Sequence, residues 1–136
     1  KVALYFYPKD STPGCTKEAC NIRDNFARLK NLDITIFGLS SGTPKGKQQF
    51  KKEHNLPFPL LTANENTLRA YGTKGGLFSF YLPKRETFLI NEQGVIVGII
   101  TNVNVNEHAQ QIIDAFAHAE ESAQRSSIDS NNHAHD

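Results

Sequence analysis

An apolar run, Val2-Ala-Leu-Tyr-Phe-Tyr7, stops at Pro8, and the pair Thr12-Pro13 then opens a stretch with helical spacing. Ala19, Ile22, Phe26 and Leu29 fall on one face of that stretch, with Lys17, Asp24 and Arg28 elsewhere. The run predicts a buried strand. The stretch predicts an amphipathic helix, with Ser11 or Thr12 as N-cap and Pro13 as first residue. A second apolar run, Ile34-Thr-Ile-Phe-Gly-Leu39, follows the turn Asn31-Leu-Asp33. Strand, helix and strand in such short order make a βαβ unit, with a right-handed crossover and parallel pairing. A chain that begins this way is committed to an open α/β sheet, and such sheets carry their sites at the carboxyl ends of the strands.

Cys15 falls in the first turn of the predicted helix, just past the end of the strand. There the helix dipole and the unpaired N–H groups stabilise a thiolate, the nucleophilic form of cysteine. Pro8 is rigid and lacks an N–H, so it can wall a sulfur off from water. The Thr12 hydroxyl can donate to a thiolate and accept from an incoming hydroxyl. Glu18, at i+3, can orient neighbouring groups or stand solvated on the helix surface. Each residue taken singly has a blander reading: a cysteine on a helix face is usually a small buried hydrophobe.

The remaining elements follow in order. Thr43-Pro44 starts a polar helix to about His54, with Phe50 its one large apolar residue. Leu56-Pro-Phe-Pro-Leu-Leu61 carries two prolines, so it reads as an extended segment ending in a short edge strand. Asn64 caps a short helix through Leu68 and Tyr71, stopped by Gly72. Residues 73–84 read as a loop whose apolar members, Leu77, Phe78, Phe80, Tyr81 and Leu82, are expected to cover a core. Glu86–Asn91, the turn Glu92-Gln-Gly94 and Val95–Thr101 form a β-hairpin. Ala109, Ile112, Ile113, Phe116 and Ala117 make the stripe of a final amphipathic helix. From Ser122 the chain turns polar, which predicts a folded domain over 1–121 and a disordered tail over 122–136.

The 136 residues suffice for one domain with a real core. A net charge of +1 gives no electrostatic case for a nucleic-acid or membrane partner. No apolar run approaches the ~20 residues that span a bilayer. Two cysteines do not make a secreted disulfide framework; they suit a redox pair in a reducing compartment. His54, His108 and His118 lie on predicted helices without a ligand cluster around them, and His133 and His135 lie in the polar tail, so no metal site is expected. Neither a phosphate-binding glycine loop nor any other cofactor signature is present.

The string Pro8-x-x-x-Thr12-x-x-Cys15 resembles the active-site signature of peroxiredoxins. Its continuation, Thr12-Pro-Gly-Cys15-Thr-Lys-Glu-Ala-Cys20, resembles the Q-type, or bacterioferritin-comigratory-protein, subgroup. The segments Leu56–Leu61 and Leu77-Phe78 to Thr87-Phe88 are similar to plant and cyanobacterial members, and the resemblance covers roughly residues 1 to 118. It implies a thioredoxin-like α/β fold, a mixed sheet flanked by helices, which the element order also fits. It further implies family strands upstream of Lys1 that are missing here. Arg85, at the start of the hairpin, matches the arginine that reaches the reactive sulfur; its charged planar fork suits both thiolate and peroxide.

The activity implied is a thiol peroxidase. Cys15 would reduce hydrogen peroxide or an alkyl hydroperoxide and become a sulfenic acid. Cys20 would resolve it as an intramolecular disulfide, and a thioredoxin-like dithiol would recycle the pair. A monomer is expected, in the cytoplasm, or in the chloroplast if the source is a photosynthetic eukaryote. The competing reading is a thioredoxin-fold disulfide-exchange or redox-sensing module without peroxidase activity. It leaves Thr12 and Arg85 without a task, and it fits the C-x4-C spacing less well than C-x2-C.

Overall fold

The computed structural model describes residues 1–72 and 83–134, with side chains as far as residue 125. The elements in chain order are β1 (Val2–Phe6), α1 (Pro13–Asp24), α2 (Phe26–Asn31), β2 (Thr35–Ser40), α3 (Pro44–Glu53), β3 (Leu60–Thr62), α4 (Glu65–Ala70), β4 (Glu86–Ile90), β5 (Ile96–Ile100) and α5 (His108–Ala134). The sheet order is β3-β2-β1-β4-β5. β1 pairs in parallel with β2 and antiparallel with β4, and β2 pairs in parallel with β3. This is the mixed, helix-flanked, thioredoxin-like sheet that the element order predicts. The expectation of missing N-terminal strands needs one qualification: the N-terminal segment itself forms β1, at the centre of the sheet.

The pleat of β1 divides the core in two, because successive side chains point to opposite faces. Ala3, Tyr5 and Tyr7 pack with Ala19, Ile22, Leu29, Ile112 and Phe116, so α1, α2 and α5 cover one face. Phe6 packs with Leu39, Ala63, Leu68 and Phe88, so α4 covers the other. β3 is the short edge strand expected after the prolines, and Asn64 caps α4 by accepting from the Thr67 N–H at 2.8 Å. Gly38 sits where β2 crosses Tyr5: a Cβ there would lie 2.8 Å from Leu60 and 2.9 Å from the Tyr5 ring.

The first helix departs from expectation. It breaks at Asn25, whose backbone leaves helical geometry at φ −110°, ψ 13°. The Asn25 side chain donates to the Asn21 carbonyl at 2.8 Å, the local competition that makes asparagine a poor mid-helix residue. At the other end of the chain, α5 runs to Ala134, through the stretch whose polarity suggests a disordered tail. That stretch contains neither Gly nor Pro, so it has no built-in stop. The apolar residues expected to cover a core between 73 and 82 lie outside the described residues.

Candidate active site

The site lies where β1 ends. Pairing of β1 with β4 sets Phe6 opposite Glu86, so Arg85 arrives beside the segment leading into α1, although 70 residues separate it from Cys15. Cys15 is 1% exposed, in the first turn of α1. Arg85 donates from Nη2 to the Cys15 Sγ at 3.4 Å and from Nη1 to Glu18 Oε1 at 2.6 Å. Burial works against the guanidinium charge, but attraction to Glu18 and Cys15 outweighs it and raises the Arg85 pKa. Gly14 makes room for this fork: a Cβ there would lie 3.2 Å from Arg85 Nη2.

Glu18 is fully buried rather than solvated. Beyond Arg85 it meets His108, whose Nδ1 lies 3.0 Å from Glu18 Oε2. That is an ion-pair distance, but the geometry is off-line, so neither atom gains an aligned hydrogen bond. His108 Nε2 lies 2.7 Å from Thr87 Oγ1, a hydroxyl buried in β4. Asn21 fixes the histidine's position: its side chain accepts from the Ala109 N–H at 2.8 Å and donates to the Asn106 carbonyl at 2.8 Å, clamping the start of α5 onto α1. Sequence reasoning gave His108 no task. The available signal was its position four residues before Ile112 and eight before Phe116, on the buried stripe.

A second polar cluster holds the loop that leads into α1. Tyr7 donates to Asp10 Oδ1 at 2.6 Å, and Lys47 donates to Asp10 Oδ2 at 3.1 Å, to the Ser41 carbonyl at 2.9 Å and to the Ser40 hydroxyl. Lys47 is 2% exposed, and burial lowers its pKa despite the Asp10 carboxylate. Within the loop, Ser11 adopts φ +62°, a left-handed conformation uncommon for serine. Pro8 is half-buried. The Thr12 hydroxyl donates to the Lys9 carbonyl at 2.9 Å, not to the sulfur; its oxygen keeps the capacity to accept. Thr12 is the N-cap but makes no side-chain cap bond, so its hydroxyl leaves the first-turn N–H groups uncapped among the described residues. Cys20 is half-buried further along α1, with its Sγ 3.9 Å from His54 Nδ1, and both cysteines are free thiols.

Two tyrosines beside the site set an alkaline limit. Burial, and then the charge of Glu18, raises the Tyr5 pKa; burial, and then the bond to Asp10, raises that of Tyr7. A tyrosine in the unfolded chain loses its proton above about pH 10 while the folded state keeps it, so stability is full below that pH and falls as pH rises. The slope is about 1.4 kcal/mol per pH unit for each group. Urea midpoints between pH 9 and 11 are expected to fall less steeply for Tyr7→Phe than for the parent chain.

Among the described residues no cluster of metal-ligating side chains occurs, and no helix is long and apolar enough to cross a membrane. Residues 1–99 match the model of the AhpC/TSA family. A putative peroxiredoxin bcp from Coxiella burnetii is 43% identical over 118 residues, covering 83% of this chain and 78% of that protein. Peroxiredoxin Q, chloroplastic, from Populus jackii is 39% identical over 102 residues, covering 74% of this chain but 47% of that protein. The chain thus spans about half the length of the plant relative. The expected closeness to plant and cyanobacterial members is not favoured over the bacterial relatives. Among solved structures, peroxidoxin BcpB from Mycobacterium tuberculosis superposes with a TM-score of 0.75 at 32% identity, covering 84% of this chain and 76% of that one.

Proposed function

The chain belongs to the AhpC/TSA family of peroxiredoxins, and from that premise we propose that it is a two-cysteine peroxidase in which Cys15 reacts and Cys20 resolves. The observation that carries this reading is the Arg85 fork, which touches the Cys15 sulfur and the buried Glu18 at once. Arg85 holds positive charge against the thiolate and presents donors where a peroxide oxygen would bind. The Cys15 thiolate attacks one oxygen of the peroxide, the O–O bond breaks, and the departing oxygen takes a proton to leave as water or alcohol. Cys15 is left as a sulfenic acid. The Thr12 hydroxyl, whose proton is given to Lys9, accepts a hydrogen bond from the peroxide O–H. Cys20 then condenses with Cys15, and a thioredoxin-like dithiol reduces the disulfide by exchange.

Peroxide consumption coupled to thioredoxin, its reductase and NADPH tests this reading. Turnover well above that of free thiols is expected. A rate no faster than free thiols would leave a disulfide-exchange module as the better account.

Resolution requires motion. Both cysteines lie on the continuous helix α1, five positions apart. Five residues rise about 7.5 Å and turn about 500°, which sets the Cα atoms roughly 8–9 Å apart. A disulfide tolerates about 7 Å, so the bond forms only if the helix opens. Hydrogen exchange on the two redox forms is expected to show loss of protection over Glu18 to Arg23 on oxidation, with Ile36 to Leu39 in β2 unchanged. Equal protection of α1 in both forms would exclude an intramolecular Cys15–Cys20 bond.

A further inference from the structure

We infer that His54 is the general base of the resolving step, taking the thiol proton of Cys20. This rests on the reading of Cys20 as the resolving cysteine. His54 Nδ1 lies 3.9 Å from Cys20 Sγ, within hydrogen-bonding range for sulfur, so the imidazole touches a reacting atom. The contact joins α1 to the C-cap of α3, across 34 positions of sequence.

His54 is held through its backbone, in part from α1, and through its ring. Arg23 Nη1 donates to the His54 carbonyl at 2.8 Å, and the His54 N–H donates to the Phe50 carbonyl at 3.3 Å. The ring stands edge-on to the buried Phe50 at 5.3 Å between centroids. Asn55, the next residue, sits at φ +51°, which turns the chain sharply after the cap. Among the described residues the charged groups around the pair are few. On α1, Arg23 shares its Nε with Asp24 at 2.9 Å; on α3, Glu53 accepts from Gln49 at 3.3 Å, and Lys51 and Lys52 are exposed. None of these carboxylates is bonded to the imidazole, and with the tautomer that carries its proton on Nε2, Nδ1 is free to accept from the thiol.

The two partners belong to parts of the molecule with different fates. Cys20 is on the helix that must open, whereas His54 is on a cap anchored to Phe50 and the core. In the closed helix the thiol proton passes from Cys20 Sγ to His54 Nδ1. Opening then carries the thiolate away from the imidazolium and toward the Cys15 sulfur. The thiolate attacks the Cys15 sulfur, the S–S bond forms, and the S–O bond of the sulfenic acid breaks. Hydroxide leaves and takes a proton from solvent to become water, and the half-buried imidazolium returns its own proton to solvent. The sulfenic acid is the oxidant, so no other redox partner is needed.

The test is a single turnover with one equivalent of hydrogen peroxide on the reduced chain. It is quenched with dimedone to trap sulfenic acid and read by intact mass. His54→Phe keeps a ring against Phe50, and His54→Asn is the second variant should the first fold poorly. Sulfenic acid formation is expected to stay within about twofold of the parent, while disulfide closure at pH 6.5 slows on the order of 10²-fold. Raising the pH above the ordinary thiol range should bring closure back to the parent rate, and added imidazole should partly restore it in His54→Ala. Closure at the parent rate at pH 6.5 overturns the inference, as does a slowing equal at every pH, which marks a merely structural contact. Cys20→Ser run in parallel separates the two layers: if it stalls as sulfenic acid, the resolving role stands whatever His54 does. If it turns over with dithiol, the resolving role itself fails.

Discussion

Cys15→Ser is expected to reduce peroxide consumption to the buffer rate, a loss on the order of 10³-fold or more, as when other enzymes lose their nucleophile. A serine hydroxyl at the same helix start stays neutral near pH 7 and attacks poorly without a paired base. The fold should survive, because Cys15 is a small, 1% exposed side chain and the serine oxygen can accept from Arg85 Nη2 where the sulfur does now. Circular dichroism and the urea midpoint check that survival, and the thioredoxin-coupled assay reads the activity. Sustained turnover by this variant would falsify the assignment of Cys15, because Cys20 points toward His54, away from the Arg85 fork.

Arg85→Ala is expected to lower the second-order rate with peroxide by about 10²- to 10³-fold, the usual cost of removing a donor aimed at developing charge. Alkylation of Cys15 by iodoacetamide at neutral pH should slow as well, since the cation 3.4 Å from the sulfur is gone. Stability should also fall: Glu18 is fully buried, and removing Arg85 leaves its carboxylate with only the off-line contact to His108 among the described residues. Arg85→Lys separates charge from shape. One ammonium cannot bridge Glu18 and the sulfur as the planar fork does, so it should recover stability better than rate. Full activity in Arg85→Lys would show that the fork geometry is immaterial.

How much was legible beforehand depended on range. β1, α1 and β2, and the position of Cys15 at the helix start, were written in local periodicity and in the Thr12-Pro13 cap. Arg85 entered through resemblance alone, since an arginine before a strand is by itself an ordinary surface charge. Glu18 was not legible as buried. Its environment is built by Arg85, 67 positions away, and by the start of α5, and no local pattern carries that pairing. Lys47 was hidden for a like reason, because a helix of mostly polar residues gives no hint that one lysine turns inward to Asp10 and Ser40. The break at Asn25 was missed because the apolar spacing runs through it, and spacing records faces rather than hydrogen bonds.

That break has a consequence for how far a disturbance can travel. Helix formation is cooperative, so melting one end of an uninterrupted helix loosens the rest. Asn25 divides the segment into two separately closing units, with α2 tied down by Leu29 in the core and by the Ile34 N–H donating to the Leu29 carbonyl at 3.0 Å. In the proposed cycle, α1 can therefore open on each turnover while α2 acts as a firebreak. The strand that follows keeps its register, and the closed helix has a fixed seam from which to regrow.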